Sequence, residues 1–184
     1  MNVTVGFCTT NNNETLTGIA IEQIEIFFDI LMNNSIIVDR ETYTEELRNI
    51  FSNNVFMVPG KINDQMIGSL IFSKLNTIVR NVLEINFVRI SSDLGKNMRY
   101  TIKENSPELD ALLPNKKDYW EKKSNPWWER PDPATYDCIL EDGIYEGDFK
   151  WEDYFKEELA KAQREMSPKK RDFFRIIDGG KNEK

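Results

Sequence analysis

Between Asn63 and Lys103 the hydrophobic pattern changes period once, and this change constrains the fold more than any other feature. After Asn63, a residue suited to capping, apolar residues fall at Met66, Ile67, Leu70, Ile71, Leu75, Ile78 and Val82. Spacings of three and four put them on one face of a helix. Leu83 to Ile90 then has strand composition, Ser92-Asp93-Leu94-Gly95 reads as a turn, and Met98, Tyr100 and Ile102 alternate with Arg99, Thr101 and Lys103. A helix with one apolar face and a hairpin with one apolar face bury each other. If facing residues sum to 187, Ile85 meets Ile102, Phe87 meets Tyr100, Glu84 meets Lys103 and Asn86 meets Thr101. Val88 and Ile90 fall out of this alternation, which points to a bulge or to cover on both faces.

The rest of the chain adds to this core. Val3 to Thr9 is a strand by composition. From Thr15 to Asn33 the period is helical, with Leu16, Ala20, Ile24, Phe27, Phe28 and Leu31 on one side. Ile19, Ile26 and Ile30 widen that face, and Glu22, Glu25 and Asp29 form a narrow acidic stripe opposite. The pattern predicts the most buried helix of the fold. Ser35 to Val38 reads as an apolar link, Tyr43 to Phe51 as a polar helix and Val55 to Val58 as a short buried run stopped by Pro59-Gly60. These elements give an α+β class: a small antiparallel sheet, made of the hairpin 83–103 and the N-terminal strand, packed against helices. Residues 1–105 form the core.

Residues 106–184 differ in composition and are expected to dock on that core as a mainly helical, acidic part. Ser106 to Leu113 reads as a short helix ended by Pro114, and residues 115–137 are rich in proline and tryptophan. Cys138 to Leu140 has the composition of a short strand. Trp151 to Met166 reads as a helix with Tyr154, Phe155, Leu159 and Ala162 inward, and Ser167-Pro168 as the start of a last helix to Ile177.

The chain has no histidine, which removes the usual general base, imidazole-dependent triads and most zinc sites. Cys8 and Cys138 are the only cysteines, too few for a thiolate metal site and more suited to free thiols in a reducing compartment. No glycine-rich loop precedes a Lys-Ser or Lys-Thr pair, so no phosphate cradle is visible. No cofactor is implied. Acidic residues interrupt the longest apolar stretch, Leu16 to Met32, and the start lacks a basic segment. The expectation is a cytoplasmic protein without a membrane span.

Twenty-four basic against 31 acidic residues leave a net charge of −7. Direct nucleic-acid binding is not expected of such a chain, whereas a partner protein with a basic surface, of the toxin or nuclease type, is. The candidate contact residues are Trp127 and Trp128 with Glu141, Asp142, Glu146 and Asp148. Aromatic side chains on a proline-bounded loop can anchor a partner, and a carboxylate rim steers it. The competing reading has the two indoles filling and covering the core, and the carboxylates, with Asp137, forming a solvated surface. As a calcium loop the acidic stretch fails, because Ile144 occupies the third ligand position when Gly147 is the sixth.

Two functions of different class follow. One is a non-catalytic acidic protein that binds and neutralises another protein, as an immunity protein, an antitoxin or a mobile-element-encoded inhibitor does. The other is a carboxylate- or metal-dependent hydrolase whose ligands lie far apart in sequence. A structural subunit of a larger assembly is a third, weaker reading. A binder should expose aromatics on an acidic protrusion, and an enzyme should gather carboxylates in a concave pocket.

Overall fold

The computed structural model describes residues 1–10, 12–33, 35–40, 55–112, 125–140, 143–145, 150–154 and 177–178. The fold is α+β, as expected. Strand β1 (Asn2–Thr9) lies beside β4 (Leu83–Ser91), antiparallel along its whole length, and β5 (Tyr100–Ile102) adds to the other side of β4. The short β8 (Ile177–Asp178) runs parallel to β1, giving the order β5-β4-β1-β8. Ile177 therefore ends no helix, contrary to the expectation from Ser167-Pro168. The remainder of that helix lies outside the described residues, as do most of the helix from Trp151 and the polar helix at 43–51. Residues 151–154 are helical.

Helix α2 (Asp64–Ile78) packs on β4 and β5. Asn63 caps it as its type suggests, its side chain accepting from the Met66 amide at 2.9 Å. Ile67, Leu70, Ile71 and Leu75 are fully buried, and Met66, Ile78 and Val82 pack at the margin of the same core. At Gly68 the helix meets the sheet: a Cβ there would press against Ile90 and Ile102.

The hairpin register is not the expected one. Val88 pairs with Ile102, Arg89 with Thr101 and Ile90 with Tyr100. The bulge is real, and it lies in the β1–β4 ladder, where Gly6 opposes Phe87 but Phe7 opposes Ile85. The extra residue lets Leu83, Ile85, Val88 and Ile90 all turn inward while Glu84, Asn86 and Arg89 stay wet. Burial of those four side chains outweighs the cross-strand pairs of the tighter turn. The Phe87 ring covers Gly6 so closely that any Cβ there would collide with it. The connection consequently spans residues 92–99, and Met98 is exposed on it rather than paired in β5.

The first helix also departs from its expected burial. Helix α1 (Glu14–Ile26) is capped by Asn13 and continues as a π-helical turn over Phe27–Met32, where the Asn33 amide donates to Phe28 O, five residues back. Phe27, Phe28, Leu31 and Met32 are buried there, but Leu16 and Ile19 are 44% and 43% exposed. Only the later half of the apolar face reaches the core. Among the described residues the most buried helix is α2, which also buries Ser69, Phe72 and Lys74.

Two short strands, β2 (Ile36–Asp39) and β3 (Val55–Val58), form a parallel pair where the sequence suggested a link and a buried run. Pro107–Leu112 is a 3-10 helix, and so is Trp127–Glu129. β6 (Cys138–Leu140) exists as expected and pairs with β7 (Gly143–Tyr145). Among the described residues no helix is long and apolar enough to cross a membrane.

Candidate functional site

The proline- and tryptophan-rich segment 125–137 is a strap bound to α2 and β3. Trp127 and Trp128 are 0% and 1% exposed. The Trp127 indole donates from Nε1 to Met57 O at 3.1 Å and meets Phe56 edge-on, with ring centroids 5.0 Å apart. Thr135 Oγ1 donates to Val55 O at 2.6 Å, and the Met57 amide donates to Thr135 O at 2.9 Å. Both indoles thus serve the fold and present no anchor to a partner. Pro126 and Pro131 bracket a single 3-10 turn, which aims both rings inward.

Beneath the strap lies a group of four charges that the sequence reading missed. Lys74, on the apolar face of α2, is fully buried and donates from Nζ to Trp127 O and Arg130 O, each at 2.8 Å. Asp132 Oδ1 lies 3.4 Å from the same nitrogen. Arg130 bridges two carboxylates, with Nε 2.9 Å from Asp132 Oδ2 and Nη1 2.5 Å from Asp137 Oδ1. Asp137 also accepts from the Trp127 amide at 3.1 Å. Two cations and two anions are balanced within one buried group, which is how buried charge becomes tolerable. Asp137 is therefore no part of a solvated surface: it is 1% exposed.

Burial pulls the Lys74 ammonium down to about 7, against the opposing pull of Asp132. Burial works against the Arg130 guanidinium too, but the charges of Asp137 and Asp132 outweigh it and raise the group above its ordinary value. One signal was legible. Lys74 follows Leu70 and Ile71 by four and three residues, so a charged residue stands inside the apolar stripe.

Where the strap meets the core there is an open cleft of about 690 Å³. Phe72, Ser73, Asn76 and Thr77 of α2 form its floor, with Glu84 and Ile85 at the start of β4. Glu104 and the 3-10 residues Leu109, Asp110 and Leu112 form one wall, and Asn125 and Glu129 of the strap another. Four carboxylates line it, and Arg80 is the only basic residue among the described residues that do. Glu84, Glu104 and Asp110 are exposed and Glu129 is half-buried. No signal in the sequence gathered these four, since they come from separate elements.

Of the six residues expected to contact a partner, Trp127 and Trp128 are in the core. Glu141, Asp142, Glu146 and Asp148 lie outside the described residues. Among the described residues, no group of three or more acidic or cysteine side chains is placed to hold a metal ion. Comparison with known proteins found no family model that matches the chain, no curated protein similar in sequence and no solved structure similar in fold.

Proposed function

We propose that this chain is a non-catalytic binding protein that neutralises a partner with a basic surface, in the manner of an immunity protein, antitoxin or inhibitor acting in the cytoplasm. The observation that carries this reading is the cleft, whose described lining residues give four carboxylates against one guanidinium on a chain of net charge −7. Such a concave acidic surface attracts a basic segment and speeds its encounter.

Concave shape and converging carboxylates also suit the competing hydrolase. Exposure favours binding: a general acid needs a carboxyl shielded from water, and Glu84, Glu104 and Asp110 are open to solvent. The test is capture from lysate at low salt by the wild type and by a variant carrying Glu84→Lys, Glu104→Lys and Asp110→Lys. The expected result is a basic protein held by the wild type, released by salt and lost from the variant. Equal capture by both proteins contradicts the reading. A substrate turned over by the wild type and not by Glu129→Gln would install the hydrolase instead.

A further inference from the structure

We draw no further inference here: the strongest candidate, the surface patch on the outer face of β4 and β5 where the Arg89 guanidinium lies 5.3 Å from the centre of the Phe87 ring and donates from Nε to Thr101 Oγ1 at 3.4 Å, is open to solvent at Arg89 and Thr101, and nothing in the structure shows what covers it.

Discussion

The sheet-and-helix core and the inner side of the strap 125–137 are both buried, by different means. In the core, Ile67, Leu70, Ile71, Val88, Ile90 and Ile102 interdigitate with no polar group among them. Such packing depends on volume and is indifferent to direction. The strap has only a single 3-10 turn of regular structure. It is held by two indoles and four charges, through directed hydrogen bonds from Lys74 Nζ, Arg130 Nη1 and the Trp127 amide. The strap should therefore fail when Asp137, the carboxylate shared by Arg130 and the Trp127 amide, is removed. The cleft lies between the two regions and depends on both.

The largest effect expected from that contrast is Asp137→Ala, which strands Arg130 and the Trp127 amide. It should cost about 3–5 kcal/mol in chemical denaturation, the loss typical of breaking a buried pair from one side. Phe28→Ala, a purely apolar deletion, should cost a similar amount, about 3–5 kcal/mol. Only the strap variant should remove the Trp127 hydrogen bonds, visible as faster amide exchange at that residue. Exchange unchanged in Asp137→Ala would mean that the charges do not hold the strap.

Lys74 separates the regions by pH. In the unfolded chain this lysine titrates near 10.5, and in the folded protein near 7. Between those values the unfolded state holds the extra proton, so raising the pH favours folding. That stability is lost as pH falls toward 7. The wild type should gain up to about 1.4 kcal/mol per pH unit from this group across the window. Lys74→Met should lack that gain, so the difference between the two denaturation profiles isolates it. Parallel profiles would show that Lys74 keeps its proton.

The smallest effects concern α1. Leu16→Ala and Glu25→Ala should each cost less than about 0.5 kcal/mol, since both side chains are exposed. A loss of 2 kcal/mol at Leu16 would restore the fully buried helix that its hydrophobic pattern suggested.

That pattern explains what was legible. Asn63 and the stripe from Ile67 to Leu75 announced α2, because capping and a period of 3.6 are local properties. Val3 to Thr9 announced β1 for the same reason. The register was not legible: pairing Ile85 with Ile102 satisfied local cross-strand chemistry, but the bulge opposite Gly6 and Phe7 serves the α2 contact from across the sheet. Leu16 and Ile19 show the same limit, since a helix face can be apolar where nothing reaches it. The candidate site was hardest to read. Trp127 and Trp128 look alike whether they bind or fill, and only their burial in the tertiary structure, with Met57 O accepting from the Trp127 indole, decides. Glu84, Glu104, Asp110 and Glu129 become neighbours solely through tertiary structure.

The central claim is that the cleft acts by charge, and the salt dependence of association tests it most directly. Association of the captured partner is followed across a range of ionic strength, with the wild type and with Glu84→Gln/Glu104→Gln/Asp110→Gln. The account predicts that the wild-type association rate falls steeply as salt rises, whereas the variant starts slower and responds weakly, and dissociation is the same for both. Indistinguishable association of the two proteins at every ionic strength would contradict it.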